Sequence, residues 1–198
     1  MTQKSLFTNI EDIRFKNIIG MGLDFSSMIR LFEKGSENEL WTKIVNDIAP
    51  RIFQAQSEAE FDVIHDEFCN WGMKNITLAE KKRKGRIIKK RGPARYGQIA
   101  KTLDVTLKVA VYYSHLPNLQ KYTEIMEWLH AGIDTRMMKM LRKNYSDDIQ
   151  EWPTTVEEVD KTKYLALQEI AQKFIRDKHP GKMLLVEFDD KYWYELNP

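Results

Sequence analysis

Residues 57–72 read SEAEFDVIHDEFCNWG. Ser57, with a glutamate three residues later, forms a capping box, in which the two side chains satisfy backbone N–H groups at the start of a helix. Apolar side chains then recur at helical spacing from Phe61 to Trp71. The stretch predicts an amphipathic helix that ends at Gly72.

Two further capping boxes, at 36–39 and 155–158, extend the helical pattern to both ends of the chain. The first precedes an apolar stripe that Pro50 is expected to end or kink. The box at 155–158 predicts the start of a long helix that ends before Pro180. Three such boxes favour a helical fold over a sheet.

Three more helices are expected at 98–113, 120–130 and 135–143. Segment 98–113 is rich in β-branched residues, which favours a strand, but it is long for a strand and carries a helical apolar stripe. The run 183–188 predicts a short strand or an extended tail. We therefore expect an all-α (mainly α) fold, a single compact helical domain over 1–198 with a short C-terminal extended segment as an option.

The composition excludes several classes of protein. The chain has 198 residues, of which 42% are hydrophobic and 30% charged, as in folded globular proteins. Its single cysteine, Cys69, excludes an internal disulfide and a cysteine-based zinc or iron–sulfur site. No apolar run approaches the roughly 18 residues of a membrane span, and the N-terminal residues lack an apolar signal region. We expect no membrane partner and a cytoplasmic (intracellular) protein, located in the nucleoid if its host is bacterial or archaeal.

The histidines are scattered along the sequence. His65, His115, His130 and His179 lack the spacing of metal ligands. We expect no metal site and no cofactor, and a structural role for His130 is favoured over an acid–base role.

Positive charge is concentrated in segment 81–101, which contains ten basic residues and no acidic one, although the net charge of the chain is only +2. Such a segment on an otherwise acidic chain is typical of a surface that binds a polyanion. Nucleic acid is favoured over a membrane surface, because Gly85, Gly92 and Pro93 interrupt any amphipathic helix. A solvated loop or a targeting-type basic cluster remains the alternative. The residues expected to contact DNA are Lys81, Lys82, Arg83, Lys84, Arg86, Lys89, Lys90, Arg91 and Arg95.

Two motifs follow the basic segment. Residues 96–108 read YGQIAKTLDVTLK, a nearly apolar helix that a lysine is expected to open, and residues 129–137 read LHAGIDTRM, in which an apolar residue precedes Asp134 and a helix begins. Over 93–142 the chain resembles the helix-hairpin-helix DNA glycosylase superfamily, and most closely its archaeal 8-oxoguanine DNA glycosylase branch. The Lys101-Thr102 pair and the later Lys108 are similar to that branch's helix.

The resemblance implies a DNA glycosylase, with or without lyase activity, that excises a damaged or modified base. Lys101 would be the nucleophile, Lys108 the second candidate, and Asp134 the carboxylate that stabilises positive charge on the sugar. We expect Lys101 and Asp134 to face one cleft. Asp134 also fits an ordinary helix N-cap, and Lys101 a phosphate contact.

A glycosylase must also stack an extruded base on an apolar or aromatic surface. Tyr96 is the first candidate, because the basic segment and Gly97 flank it. The other aromatic candidates are Trp71, Tyr112, Tyr113 and Trp128.

The main alternative function is a non-catalytic, nucleic-acid-binding helical protein that uses the same basic segment. A metal-dependent nuclease is a third hypothesis, since Asp189-Asp190-Lys191 after an apolar run is similar to the end of a restriction-type nuclease strand. A protein-interaction module is the fourth.

Overall fold

The computed structural model of the protein describes residues 9–83, 86–181 and 183–195. Most of these residues lie in helices, so the prediction of a mainly α fold is confirmed. The α-helices are α1 (Ile10–Phe25), α2 (Ser36–Lys43), α3 (Ala49–Gln54), α4 (Glu58–Asn75), α5 (Tyr96–Leu107), α6 (Leu119–Trp128), α7 (Thr135–Asn144), α8 (Lys161–Lys178) and α9 (Leu185–Glu195). Short 3-10 helices lie at Ile29–Leu31 and Val156–Glu158, and π-helical turns lie at Ile44–Ile48 and Lys108–Tyr113.

Two of the three predicted capping boxes differ from the structure. The Ser57 hydroxyl accepts a bond of 3.3 Å from the Glu60 N–H, as predicted, but α4 continues past Gly72 to Asn75. Helix α2 begins at Ser36 without a side-chain cap. The third box opens only a 3-10 turn, and α8 begins at Lys161 because Asp160 caps it through the Lys163 N–H at 2.8 Å.

Pro50 neither ends nor sharply interrupts its helix. The π-helical turn Ile44–Ile48 directly precedes α3, in which Pro50 is the second residue. Proline clashes with the carbonyl four residues earlier in a regular α-helix. That carbonyl belongs to Asn46, inside the wider π turn, so the chain stays helical through the proline.

The connection between α4 and α5 is a β arm. Strand β1 (Thr77–Leu78) pairs antiparallel with β4 (Gly92–Pro93), and β2 (Lys81–Arg83) pairs antiparallel with β3 (Arg86–Lys89). Phe32 adds a bridge to Leu78 that ties the base of the arm to the segment after α1. The basic segment is therefore carried largely by a hairpin.

Helix α5 lies at the centre of the hydrophobic core, with Ile99 and Leu103 fully buried. Two glycines let neighbouring helices approach it closely. A Cβ at Gly22 of α1 would lie 2.8 Å from Cα of Thr106, and a Cβ at Gly72 of α4 would lie 2.5 Å from Cγ2 of Ile99. Helix α1 therefore packs on α5 nearly backbone to backbone, and α4 packs Gly72 directly against the Ile99 side chain.

The C-terminal prediction of a strand or extended tail is wrong. Residues Leu185–Glu195 form α9, which buries Val186, Phe188 and Tyr192 against the core. The rings of Phe174 in α8 and Phe188 pack edge to face, with centroids 5.9 Å apart. Among the described residues, none of the helices combines the length and the apolar character that a membrane span requires.

Candidate functional site

A cleft of about 450 Å³ lies where α5, α7 and α9 meet the end of α1. Lys101 and Asp134 both line it, as the sequence analysis expected. The complete lining is Phe25, Ser27, Arg30, Lys101, Val105, Lys108, Val109, Tyr113, Asp134 and Asp190. The cleft thus combines two lysines, two carboxylates and two aromatic rings.

Lys101 is half-buried and lies in the second turn of α5. The prediction that it opens the helix is wrong, because α5 begins at Tyr96 with the Arg95 N–H bonded to the Gln98 side chain at 2.9 Å. Lys101, Val105 and Lys108 succeed one another at four- and three-residue spacing, which puts them on one face of the helix. That face lines the cleft, while Ile99 and Leu103 point into the core.

Asp134 is the N-cap of α7. Its Oδ1 accepts hydrogen bonds from the Arg136 N–H at 2.8 Å and the Met137 N–H at 3.0 Å. The capping interpretation is therefore confirmed, and it coexists with a place in the cleft. Both bonds use Oδ1, which leaves Oδ2 as the oxygen for a ligand, and the cap fixes where the carboxylate lies.

Lys108 is almost fully buried and forms an ion pair. Its side chain is 8% exposed, and its Nζ lies 2.6 Å from Oδ1 of Asp190. The Tyr113 hydroxyl lies 2.6 Å from the same carboxylate. This interaction ties α5 to α9 across the cleft.

No family model, curated protein or solved structure matches this chain. Its function is therefore inferred from the residues of the cleft and the charges around it.

The nuclease hypothesis is contradicted by the position of Asp190. That mechanism needs the acid-x-Lys sequence on a strand, but Asp190 and Lys191 lie in helix α9. The Asp190 carboxylate is instead the partner of Lys108 and Tyr113.

Tyr96 does not line the cleft that contains Lys101 and Asp134. Its side chain is buried, and its hydroxyl donates to Oδ1 of Asp66 at 3.1 Å on the opposite side of α5. The prediction of Tyr96 as the base-stacking residue therefore finds no support. Tyr113 and Phe25, which are 54% and 72% exposed, are the rings beside Lys101.

Phe25 and Arg30 were missed by the sequence analysis. Phe25 is the last residue of α1 and falls off the stripe that buries Ile18, Ile19 and Leu23. A large ring outside the buried stripe of an amphipathic helix was the available signal.

The basic residues lie on the β arm and at the start of α5. Lys81, Lys90, Arg91 and Arg95 are exposed. Arg91 is already paired, with Nη2 lying 2.6 Å from a carboxylate oxygen of Glu33. Lys82, Arg83, Arg86 and Lys89 lie on β2 and β3. Lys84, also predicted to contact DNA, falls outside the described residues.

A buried polar cluster lies beside Lys101, because Asp104 follows it by three residues on α5, and Lys101, Asp104 and Tyr164 line one small pocket. His65, Asp104 and His130 each offer one ligand atom, and these atoms lie within 4.8 Å of one another. The Tyr164 hydroxyl stands between them, and burial, together with the nearby Asp104 carboxylate, raises the pKa of Tyr164 well above its usual range. Although the histidines are far apart in sequence, the fold brings His65 and His130 together.

Proposed function

We propose that this chain is a DNA glycosylase that uses Lys101 as nucleophile and Asp134 as the stabilising carboxylate. The observation that carries the proposal is that these two side chains, from helices α5 and α7, line one cleft of about 450 Å³. An amine and a carboxylate in one cleft are the groups needed to break an N-glycosidic bond, which develops positive charge at C1′ of the sugar.

In the proposed reaction the neutral Lys101 amine attacks C1′ of the target nucleotide. The N-glycosidic bond breaks, its electron pair leaves with the base, and the base takes a proton from solvent. The new C1′–N bond costs the amine a proton, which passes to the Asp134 carboxylate. Opening of the sugar ring then gives a Schiff base that water hydrolyses.

The cleft also offers surfaces for an extruded base. The exposed rings of Phe25 and Tyr113 are available for stacking, and the exposed guanidinium of Arg30 is a donor beside them. The volume of about 450 Å³ lies within the range of small-molecule sites. These features support a pocket that accepts one nucleotide rather than a flat binding surface.

The basic residues supply the DNA contacts in this proposal. Exposed lysines and arginines on the β arm, among them Lys81 and Lys90, neutralise backbone phosphates and hold the duplex without reading its sequence. An enzyme that acts on DNA works where the DNA is, so we place the protein inside the cell.

A non-catalytic nucleic-acid-binding protein is the second candidate. The observation that favours it is that the basic arm is a separate hairpin, tied to the helical core through the β1–β4 pair and the bridge between Phe32 and Leu78. Such an arm binds DNA with or without a reactive cleft behind it.

The decisive experiment incubates the full chain with a panel of duplexes that each carry one damaged or modified base. Hot alkali then cuts the strand wherever a base has been released, and a gel detects the cut. We expect release from at least one substrate, and Asp134→Asn should slow it by orders of magnitude while DNA binding persists. Asn still caps a helix, so α7 is preserved in this variant.

Asp160→Asn is the matched control. Asp160 is also a helix N-cap, accepting from the Lys163 N–H at 2.8 Å, but it does not line the cleft. We expect unchanged base release in this variant. DNA binding without base release from any substrate would replace the glycosylase proposal with the binding-protein one.

A further inference from the structure

The polar cluster of His65, Asp104, His130 and Tyr164 combines side chains from four parts of the fold. His65 lies on α4, Asp104 on α5, Tyr164 on α8, and His130 between α6 and α7. His65 and Asp104 are almost fully buried, and their closest atoms, Nε2 and Oδ1, lie 2.9 Å apart. Buried charged and polar groups are costly unless they are paired or coordinate a metal. This cluster is therefore built for a purpose that an apolar core would not serve.

The oxygen of Tyr164 is the centre of the cluster. It lies 3.0 Å from both carboxylate oxygens of Asp104, 2.9 Å from Nδ1 of His130 and 3.3 Å from Nε2 of His65. Two imidazole nitrogens and one carboxylate thus lie within 4.8 Å of one another around the phenol oxygen. Ligand atoms about 2 Å from a tetrahedral ion lie about 3.3 Å from each other, so small movements convert these contacts into coordination bonds.

The outer neighbour of His130 is a carboxylate, as is common for ligating histidines, whereas that of His65 is a thiol. Nε2 of His130 lies 3.2 Å from a carboxylate oxygen of Asp62, and its Nδ1 faces the cluster, 2.9 Å from the Tyr164 oxygen. Nδ1 of His65 lies 3.7 Å from Sγ of Cys69, so Nε2 of His65 is the nitrogen that faces Asp104. A carboxylate beside a ligating histidine is typical of zinc sites.

We infer that His65, Asp104 and His130 bind a divalent transition metal ion, with zinc as the expected ion and the Tyr164 oxygen completing a four-coordinate site. Imidazole ligands select against magnesium and calcium, and a set of nitrogen and oxygen ligands suits zinc. Coordination replaces the protons now shared inside the cluster, and those protons leave to solvent. The buried Asp104 carboxylate, which otherwise has only hydrogen-bonding partners, would then be paired with a cation.

Access to the site is open from one side. A depression of about 300 Å³ is lined by Asp62, Asp66, His130 and Tyr164, among others. Asp62 puts negative charge on its wall, whereas Asp66 is paired with Lys161 at 2.9 Å, and His130 and His65 also line the depression. All four coordination positions are filled by protein atoms, so the proposed role of the metal is structural.

The proposed metal would link α4, α5 and α8 to the segment that precedes α7. His130 lies four residues before Asp134, so fixing His130 also fixes the approach to the N-cap of α7. This inference does not depend on the glycosylase proposal, because metal binding is measured without DNA and without any assay of base release.

The test uses the purified full chain. Bound metal is quantified by mass spectrometry after chelator treatment and reloading with one equivalent of Zn²⁺, and affinity is measured by competition with a chromophoric chelator. We expect one zinc per chain, and a rise in Tm on adding zinc, because an ion that binds only the folded state stabilises it.

Two variants localise the ion. His130→Ala removes a ligand and should abolish stoichiometric binding. Asp62→Asn leaves all four ligands in place on a surface position that folding tolerates, and should weaken binding by about 10- to 100-fold. His115→Ala, at an exposed histidine outside the cluster, is the control and should bind as the unmodified chain does.

The inference is overturned if the unmodified chain binds no zinc, or if Asp62→Asn and His130→Ala bind it as tightly as the unmodified chain. Loss of binding in His115→Ala alone would also overturn it, because the ion would then sit at a surface histidine.

Discussion

The hydroxyl group of Tyr164 lies 3.0 Å from both carboxylate oxygens of Asp104, and both residues are buried. Tyr164→Phe keeps the ring and removes this hydrogen bond from a carboxylate that water cannot reach. Hydrogen bonds to charged groups contribute about 1.5–3 kcal/mol, so we expect a loss of that size in the free energy of unfolding. Urea denaturation in a buffer with chelator measures it, so that metal binding does not contribute.

Tyr145→Phe is the control for this prediction. The Tyr145 hydroxyl also donates to a carboxylate, Asp177 at 2.6 Å, but that pair lies at the surface. We expect a change within about 0.5 kcal/mol, as for other surface substitutions. Equal losses of unfolding free energy in Tyr164→Phe and Tyr145→Phe would mean that burial does not strengthen the hydrogen bond to Asp104.

The packing of α1 on α5 gives a second prediction. A Cβ at Gly22 would lie 2.8 Å from Cα of Thr106, and backbone atoms cannot move aside as a flexible side chain can. Gly20, two residues earlier in the same helix, has only the Trp41 ring nearby, at 3.8 Å. Both substitutions to alanine gain about 1 kcal/mol of helix propensity. Overpacking costs about 1–3 kcal/mol, so Gly22→Ala should be less stable than Gly20→Ala by that amount.

Thermal or urea unfolding of the two alanine variants checks this difference. Gly20→Ala should equal or exceed the unmodified chain in stability. If Gly22→Ala matched Gly20→Ala, the close approach of α1 to α5 would be wrong.

Local sequence signals predicted most helices but not their ends. The helix start at Ser57 was predicted correctly because the capping hydrogen bond joins residues only three positions apart. At 155–158 the same pattern does not start the long helix, because Asp160 caps it further along the chain. The capping-box pattern does not take such a second cap into account. Residues 183–188 alone have the pattern of an extended segment. The helical spacing of Leu185, Phe188 and Tyr192 is visible only when residues up to Tyr192 are included.

The site was predictable where it depends on position along one helix. Lys101 and Lys108 are seven residues apart, close to two full turns, so they share a face. Tyr96 precedes Lys101 by five residues, which turns it by about 140° to the other side of α5. Tyr96 and Lys101 therefore line different cavities, although they are close in sequence.

The cluster of His65, Asp104 and His130 lay beyond sequence reasoning for a different reason. Its members come from α4, α5 and the segment after α6, and only the packing of these elements on one another brings their side chains together. No spacing rule applies to residues so far apart in the chain.

The basic arm gives a third prediction. Reversing the charges of four residues to glutamate should weaken DNA binding about equally for all sequences, because phosphate contacts position a protein without reading bases. Each lost phosphate contact should also reduce the slope of log affinity against log salt by about 0.9. Titration of a fluorescent duplex at several salt concentrations measures both. The four residues are Lys81, Lys82, Arg83 and Lys84.

The matched control reverses four charges on helix α8. If net charge alone governed binding, the control would lose as much affinity as the arm variant. We expect a much smaller loss, and equal losses would remove the arm from the interface. The control residues are Lys163, Lys173, Arg176 and Lys178.

The last prediction concerns the covalent step of the proposed glycosylase. Borohydride reduces a Schiff base to a stable amine, so it should trap the enzyme on a substrate duplex as an adduct visible on a denaturing gel. Lys101→Gln should lose the adduct, because an amide cannot form a Schiff base. Lys108→Gln should keep it, since the Nζ of Lys108 lies 2.6 Å from Asp190 and is held by that carboxylate. The opposite result, with the adduct lost only in Lys108→Gln, would make Lys108 the nucleophile. Base release without any adduct in the unmodified chain would show that water attacks C1′, and Lys101 would then be a phosphate contact beside Asp134.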